Sequence, residues 1–420
     1  MTKNKKLIIL SALLFLFAFS TIFASSLLER KPSMFPIFKN GFSQQISLSS
    51  SNVGVGTYLS GYARWAKSTG WWSDEQIKND ITKQYSAFHE VGAIWGREDF
   101  SWHELEKEEG KFDWSLTGMA SDLVLEQYKD GDNITVILGQ TPAWASSSPN
   151  GSTDPDAFKY PDKDPNLANW KRYVSKVVSR YKHKVKYWEI WNEADIYQQT
   201  GTYFFIPKPG ETREESYAKL LQTAYTTIKK IDPEANVLIN SFGSWNISGD
   251  LSNPLMGDNM LEFIMMQNHI DDGLWPYFDI FNIHIYSLSD PGEEVIRAKN
   301  LLNNWQVSKN KPIFITETNP NQYLDTNPPP GLLTPGSGGN TVDNAAAIMP
   351  WWLTREIKSG ADKTFWFSLL NWQCDPGCGN FSHAGLIKIS DFSKQSTWSK
   401  MKSIVTGVSD SVKDASKKFE

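Results

Sequence analysis

The sequence contains few of the residues on which metal clusters and disulfide-stapled scaffolds depend. Its 420 residues include only two cysteines and six histidines. These counts exclude a four-thiolate zinc site and a small domain held by many disulfides. The His-Glu-x-x-His pattern of zinc hydrolases is also missing. We therefore expect a protein that uses no metal ion and no cofactor.

An excess of positive charge is missing as well. The chain has 42 Lys and Arg against 47 Asp and Glu, which gives a net charge of −5. This balance excludes the basic surface of a nucleic-acid-binding protein. A 40% content of hydrophobic residues is too high for a disordered chain. The most abundant unusual residue is Trp, with 18 copies, which fills cores and also stacks on flat ligands.

The N-terminus has the pattern of a targeting segment. Three lysines precede an apolar run from Leu7 to Ala24. This run fits either a cleaved signal peptide or a retained membrane anchor, and both export the remainder of the chain. Loss of residues 1–24 would take the net charge from −5 to −8, because the segment carries three lysines and no acid. Residues 25–50 are rich in Ser and predict a linker, so the folded domain is expected at 51–420.

Export makes a disulfide possible, and one pair of cysteines has a suitable spacing. Cys374 and Cys378 flank Asp-Pro-Gly, which is a turn sequence. A small bridged loop is the prediction. A reactive thiol pair is the alternative, although the Cys-x-x-Cys spacing is missing.

Eight short runs of β-branched and aromatic residues alternate with amphipathic helical patterns after residue 50. The spacing of the runs leaves room for a crossover helix between successive parallel strands. Eight such units predict an α/β fold, a closed (β/α)8 TIM barrel in a single domain, with an open doubly wound sheet as the alternative. The predicted strands are Val53–Tyr58, Ala93–Arg97, Ile134–Gly139, Val185–Trp191, Val237–Ser241, Phe278–Ile285, Ile313–Thr316 and Thr364–Leu369.

Helix starts and loops fit the same arrangement. Ser73 to Gln76 and Thr212 to Glu215 have the sequence of capping boxes. Three long loops rich in polar residues, Pro and Gly follow predicted strands, at Ser146–Pro165, Phe205–Gly210 and Asn319–Asn340. In a barrel such loops lie on the C-terminal face, where the active site is found.

Two glutamates lie where predicted strands meet this face. The fourth strand leads into Trp191-Asn192-Glu193, and the seventh leads into Glu317. Strands four and seven lie on opposite sides of an eight-stranded ring, so the two carboxyl groups are expected to flank one sugar. Such a pair serves glycoside hydrolysis, in which one acid protonates the leaving oxygen and the other attacks carbon or activates water. Taken singly, each glutamate would be an ordinary loop acid.

These residues resemble the retaining glycoside hydrolases of clan A, which are (β/α)8 barrels with glutamates at the ends of strands four and seven. The resemblance covers Val53 to Val405. It implies Glu193 as acid/base, Glu317 as nucleophile and Asn192 as a hydrogen-bond partner of the sugar.

Further positions carry the same resemblance. It implies substrate-site roles for Arg97 beside the nucleophile, for His284, for Tyr286 as a donor to the nucleophile, and for Trp366 as an aromatic floor. Thr141 to Trp144 resembles family 39 members, which adds Trp144 to the site. Independently of the resemblance, strand alternation gives Glu189 the parity of Trp191 and Glu193, so it is expected to point inward as a supporting acid, with displacement by a bulge as the alternative.

The predicted function is that of an extracellular retaining glycoside hydrolase that cleaves β-linked sugars by double displacement. Long loops and many Trp favour an extended groove and endo cleavage of a polysaccharide or glycoconjugate. Two alternatives are a non-catalytic carbohydrate-binding barrel and a transglycosylase that uses the same glutamates. We expect the protein to act as a monomer.

Overall fold

A computed structural model describes residues 48–196, 204–243, 277–286, 290–304, 310–320, 342–371 and 384–407. The predicted targeting segment, most of the predicted linker, Cys374 and Cys378 lie outside these residues. At the end of the predicted linker, the amide of Ser50 donates to the carbonyl of Val405 at 3.3 Å. Among the described residues, none of the helices has both the length and the apolar character needed to cross a membrane.

The described chain alternates strands and helices in the predicted order. The strands are β1 Val53–Gly56, β2 Trp95–Asp99, β3 Asn133–Leu138, β4 Tyr187–Ile190, β5 Asn236–Leu238, β6 Phe281–Ile285, β7 Ile313–Thr318, β8 Lys363–Trp366, β9 Leu370–Asn371 and β10 Ile387–Lys388. The helices are α1 Leu59–Thr69, α2 Asp74–Glu90, α3 Trp102–Leu105, α4 Ser121–Gln127, α5 Ala168–Tyr181, α6 Arg213–Ile231, α7 Pro291–Asn304, α8 Val342–Ser359 and α9 Ser396–Thr406.

Strands β1 to β8 form a ring, which confirms the predicted barrel. Neighbouring strands pair in parallel in the order β5, β4, β3, β2, β1, β8, β7, β6. The ends of this series meet through parallel bridges from Leu238 to Ile280 and from Phe242 to Ile283. The amide of His284 adds a 3.1 Å bond to the carbonyl of Phe242 across the same seam. Every strand therefore points its C-terminal end toward one face, as a barrel requires.

Local sequence signals account for where the longer helices begin. Ser73 and Thr212 each accept the N3 amide, while Gln76 and Glu215 bond back to the cap residue. Both capping boxes are therefore confirmed. Two of the orphan amides at each helix start are satisfied in this way, which stabilises each helix by about 1 kcal/mol.

An aromatic layer fills the lower part of the barrel. Trp95, Phe314 and Phe365 are buried there together with Leu238 and Ile280. Trp95 meets the rings of Phe314 and Phe365 edge-on, with centroids 5.9 and 6.1 Å away. This packed layer closes the N-terminal end of the barrel. Polar side chains in the layer above it therefore face only the C-terminal end.

A buried acid, Glu356, lies behind β7 and β8. Glu356 of α8 lies 2.6 Å from the hydroxyl of Thr318 and 2.5 Å from that of Thr364. The Thr318 hydroxyl also lies 3.0 Å from the carbonyl of Ile285 and accepts from the indole of Trp352. One hydroxyl proton cannot serve two acceptors, so a protonated Glu356 satisfies this network best. Burial raises the pKa of Glu356 to about 8 despite these bonds.

We expect Glu356→Gln to remove a pH dependence of stability. The raised pKa means that the folded wild type binds a proton which the unfolded chain releases between pH 4.5 and about 8. Its unfolding free energy should therefore fall as the pH rises through this window, by on the order of 1 kcal/mol per pH unit. The Gln amide can donate to Thr318 without titrating, so its curve should lack this slope. Urea unfolding at several pH values measures it, with exposed Glu109→Gln as control; identical slopes for wild type and Glu356→Gln would contradict the prediction.

Candidate active site

A bulge in β7 brings Glu317 to the interior of the barrel. Ile283 of β6 pairs with Ile315, but the next residue, His284, pairs with Glu317, so Thr316 is an extra residue in β7. The pairing with β8 shifts at the same point. Consecutive side chains of a regular strand face opposite sides, and the bulge lets both Thr316 and Glu317 face inward. The hydroxyl of Thr316 lies 3.2 Å from Nε2 of His284, which places it inside the ring.

The end of β4 holds Glu193 in a constrained turn. Trp191 and Glu193 have φ values of 70° and 49°, in the left-handed region that side chains other than Gly seldom adopt. The residues after β5 hold this turn in place. The amide of Glu193 lies 3.3 Å from the hydroxyl of Ser241, and that of Ala194 donates to Oδ1 of Asn240 at 2.6 Å. The strained backbone is thus fixed by its neighbour in the ring.

Gly243 leaves the space that the Glu193 carboxyl group occupies. A Cβ atom at position 243 would lie 2.5 Å from Oε1 and 2.6 Å from Cδ of Glu193. Both distances are shorter than any ordinary contact, so Ala at this position would displace the carboxyl group.

We expect Gly243→Ala to remain folded while losing about 10²-fold in turnover, because a misplaced acid transfers its proton poorly. Steady-state assays on a glycoside with a poor leaving group measure this loss. Gly61→Ala in α1 is the control, since its Cβ would have only an ordinary 3.9 Å contact. Full activity of the Gly243→Ala protein would contradict the placement of Glu193 against Gly243.

Glu317 is held as a carboxylate by four side chains. Its Oε1 accepts from the hydroxyl of Tyr58 at 2.7 Å and from the guanidinium of Arg97 at 2.5 Å. Its Oε2 accepts from the hydroxyl of Tyr286 at 2.5 Å. Burial by itself would raise the pKa of Glu317. The charges of His284 and Arg97 and the two tyrosine hydroxyls outweigh burial and lower that pKa to about 2.

Arg97 is the shared partner of several site residues. Its Nε and Nη2 atoms form two parallel bonds of 2.9 and 2.7 Å to the carboxylate of Glu189, and both side chains are fully buried. Strand alternation correctly predicts that Glu189 points inward. Nη2 also donates to Oδ1 of Asn192 at 2.9 Å. Because Arg97 and the Ser241 hydroxyl both donate to Oδ1, the Asn192 amide is oriented with Nδ2 away from them.

His284 lies between the two glutamates. Its Nδ1 is 2.8 Å from Oε1 of Glu193 and 3.6 Å from Oε2 of Glu317. Burial raises the pKa of Glu193, the bond from His284 opposes this rise, and the charge of Glu317 adds to it. Burial would lower the pKa of His284, but the charge of Glu317 and the bond to Glu193 raise it overall. The pKa values of Glu193 and Glu317 are therefore driven in opposite directions, as in an acid and nucleophile pair.

The two carboxyl groups are close together and reachable from outside. One ligand atom each of Glu193, His284 and Glu317 lies within 4.8 Å of the others. The glutamate side chains are 13% and 12% exposed, whereas those of Arg97 and His284 are completely buried. Three such groups have the spacing of metal ligands, but the guanidinium of Arg97 already bonds to Oε1 of Glu317, and its positive charge would repel a cation there. The arrangement therefore favours acid–base chemistry over metal binding.

Two predicted aromatic residues do not join this cluster. Trp366 shares a face of β8 with Thr364, which contacts α8, and its indole donates to the carbonyl of Ala384. Trp366 was expected to face the site, but its side chain points to the outer side of the barrel. Strand alternation turns the next residue, Phe367, inward, where its ring contacts Tyr58 and Tyr286.

Trp144 packs elsewhere. Its indole donates to the carbonyl of Glu106 at 2.8 Å, its ring meets that of Trp102 edge-on, and the guanidinium of Arg172 lies 5.4 Å from its centroid. These contacts place Trp144 against the loop that follows β2, and its role in sugar binding stays a prediction.

The residues that sequence reasoning missed are Tyr58, Gly243 and the pair Asn240 and Ser241. Tyr58 follows the end of β1, and the other three follow the end of β5. Their position just after a strand is the sequence signal that could have marked them as candidates for the site.

Comparison with known proteins agrees with this architecture. The model of glycosyl hydrolase family 10 matches residues 63–271. The match and the barrel make the chain similar to the clan A glycoside hydrolases. The matched segment contains Arg97 and Glu193 but ends before Tyr286 and Glu317.

Two curated relatives of this chain are named as xylanases. The endo-1,4-beta-xylanase 3 of Hypocrea jecorina is 26% identical over 162 residues, which are 36% of this chain and 39% of the relative. An endo-1,4-beta-xylanase of Geobacillus stearothermophilus is 24% identical over 152 residues, 36% of this chain and 43% of the relative. The chain thus spans about two fifths of the length of these relatives.

Solved structures share the fold of this chain at low identity. A family 39 glycoside hydrolase from Bacteroides cellulosilyticus WH2 has a TM-score of 0.56 and 16% identity, and the match covers 86% of this chain and 64% of that one. A GH5_18 protein from Bifidobacterium longum subsp. infantis has a TM-score of 0.54 and 12% identity, with 86% and 79% covered.

Proposed function

We propose that this protein is a retaining β-glycosidase in which Glu193 is the acid/base and Glu317 the nucleophile. The observation that carries the proposal is the close approach of the two carboxyl groups from opposite strands, with ligand atoms within 4.8 Å. Retaining glycosidases place their carboxyl groups about 5–5.5 Å apart, and inverting ones place them about 6.5–9.5 Å apart to admit a water molecule.

In the first step an oxygen of Glu317 forms a bond to the anomeric carbon of the sugar. The bond from that carbon to the leaving oxygen breaks, its electron pair stays on the leaving oxygen, and Glu193 protonates this atom. The lowered pKa of Glu317 supports attack as a carboxylate, and the raised pKa of Glu193 supports proton donation. Since Oε1 of Glu193 lies against His284, its Oε2 is the atom that carries the proton.

In the second step water replaces the carboxylate. Glu193 takes a proton from water, the water oxygen bonds to the anomeric carbon, and the electron pair of the ester bond returns to Glu317. Nδ1–H of His284 supports the carboxylate form of Glu193 that this step needs. Arg97, Tyr58 and Tyr286 stabilise the regenerated carboxylate of Glu317.

We propose a polysaccharide or glycoconjugate as substrate, cleaved within the chain. The three long loops of the sequence, all after strands, and its 18 Trp favour an extended groove. Xylan is the first polymer to test, because both curated relatives are named as endo-1,4-beta-xylanases.

We propose that the protein acts outside the cytoplasm. The support is the lysine-flanked apolar run of residues 7–24, which fits a cleaved signal or a retained anchor. Fractionation of the native host with N-terminal sequencing of the recovered protein tests it. Intact protein in the cytosol would contradict export.

A panel of aryl β-glycosides and polysaccharides, followed by product analysis, tests the activity. Proton NMR of the first product should show the β-anomer, whereas an initial α-anomer would contradict retention. Adding an acceptor sugar separates hydrolysis from transfer. A glycosyl-enzyme captured by the acceptor in preference to water would favour the transglycosylase alternative.

A further inference from the structure

Tyr58 reaches Glu317 from β1, a strand to which the sequence assigned no site residue. Its hydroxyl accepts from Nη1 of Arg97 and donates to Oε1 of Glu317. The same nitrogen of Arg97 donates directly to Oε1. Oε1 therefore receives two hydrogen bonds, one from a phenol and one from a guanidinium.

The two carboxylate oxygens of Glu317 differ in how many of their lone pairs are free of a hydrogen bond. A carboxylate oxygen offers two acceptor sites. Both sites of Oε1 are engaged by Tyr58 and Arg97. Oε2 has one strong bond, from Tyr286, and so keeps a lone pair for another partner.

Oε2 also lies on the side of Glu317 that faces the acid/base. Nδ1 of His284 bonds to Glu193 and lies 3.6 Å from Oε2 of Glu317. A sugar that receives a proton from Glu193 on one side would thus meet Oε2 on the other.

Several contacts hold Tyr58 in this position. Its φ of 48° is in the left-handed region, and its amide donates to the carbonyl of Arg97. The next two amides, of Leu59 and Ser60, donate to the buried carboxyl group of Glu98 and so fix the start of α1. The ring of Phe367 meets that of Tyr58 edge-on at 5.5 Å.

Gly56 makes room for the ring. A Cβ atom there would lie 2.8 Å from Cε2 of Tyr58. The phenol therefore lies in a built site, with a strained backbone, a carboxylate anchor and a residue without a side chain beneath it.

We propose that Tyr58 is a positioning residue that occupies Oε1 of Glu317, so that Oε2 is the atom that bonds to the sugar. This inference rests on the function proposed above. When the bond from Oε2 to the anomeric carbon forms, Glu317 loses its charge and its hydrogen bonds weaken. When that bond breaks, the electron pair returns to Glu317, and the Tyr58 hydroxyl stabilises the charge as it reappears.

Tyr58→Phe should therefore slow the second chemical step more than the first. On a dinitrophenyl β-glycoside, whose leaving group needs no proton, we expect kcat to fall about tenfold to hundredfold. Because the glycosyl-enzyme then accumulates, KM should fall by about the same factor as kcat. The ratio kcat/KM, which reports the first step, should stay within about threefold of the wild-type value. A burst of dinitrophenol should appear, and the acidic limb of kcat/KM should move to higher pH.

Two further variants keep the test decisive. Gly56→Ala pushes the Tyr58 ring aside and should give the same split between kcat and KM. Tyr62→Phe removes a phenol that donates to Asp80, away from the site, and should leave the kinetics unchanged. Carbon-13 titration should show the Glu317 carboxyl group of Tyr58→Phe protonating about one pH unit higher than in wild type.

The outcomes separate this inference from the proposed function. Equal losses of kcat and kcat/KM in Tyr58→Phe, or unchanged kinetics with an unchanged Glu317 titration, would overturn the role of Tyr58. Failure of the wild type to hydrolyse any aryl β-glycoside would instead overturn the proposed function, and the inference with it.

Discussion

Glu317→Gln should abolish turnover, with a loss of at least about 10⁴-fold in kcat. The neutral amide cannot form the glycosyl ester, although it nearly matches the carboxylate in size. The amide oxygen can take the place of Oε1 and accept from Tyr58, its Nε2 can donate to the hydroxyl of Tyr286, and Arg97 keeps its paired bonds to Glu189, so the protein should remain folded. Assays on the best substrate of the panel measure the loss, and thermal unfolding checks the fold.

A mechanism-based fluorosugar gives the same test a chemical readout. It should label wild-type protein at Glu317, as mass spectrometry of the digested protein would show, and should fail to label Glu317→Gln. Exposed Glu109→Gln is the matched control and should react like the wild type. A Glu317→Gln protein with its full hydrolytic rate would disprove the nucleophile assignment. No turnover by the wild type, with retained polysaccharide binding, would favour the carbohydrate-binding alternative.

Glu193→Ala should have an effect that depends on the leaving group. Glycosides that need protonation should lose about 10²–10⁴-fold in kcat/KM, while a dinitrophenyl glycoside should keep most of its first-step rate. The second step still needs a base, so the intermediate should accumulate on the activated substrate. Azide can enter the vacated space and attack without a base, so it should restore turnover and give a β-glycosyl azide.

The pH profile adds an independent check of Glu193. Because the pKa of Glu193 is raised, the wild type should lose kcat/KM as the pH rises through that pKa and the acid loses its proton. Glu193→Ala should lack this alkaline limb. An unchanged limb, or equal losses on all leaving groups, would contradict the acid/base assignment.

The barrel was predictable because its signals are local and repeated. Each strand is a short apolar run, and two of the helices start with complete capping boxes at Ser73 and Thr212. Strand ends were harder to predict. The fourth strand was expected to reach Trp191 but ends at Ile190, because the left-handed turn at Trp191 interrupts the pairing.

The site was only partly predictable, because its partners come from distant parts of the chain. Alternation along β4 indicates that Glu189 faces inward, but its pairing with Arg97 depends on how β2 and β4 lie in the ring. The resemblance placed Trp366 in the site, whereas the inward residue is Phe367. The contribution of Tyr58 depends on a left-handed turn and on space above Gly56, and neither leaves a periodic pattern in the sequence.

The extra residue in β7 has a consequence for engineering. Glu317 owes its inward position to the pairing of β7 with β6 and β8, a property of the scaffold rather than of the connections that follow it. Segments beyond Asn319 can therefore be exchanged with those of other barrels to recruit new polymers while the reactive pair keeps its spacing. A regular β7 that kept Thr316 would have the opposite effect, since Thr316 would pair with His284 and alternation would turn the nucleophile to the outer side of the cylinder, leaving the chosen polymer bound but uncut.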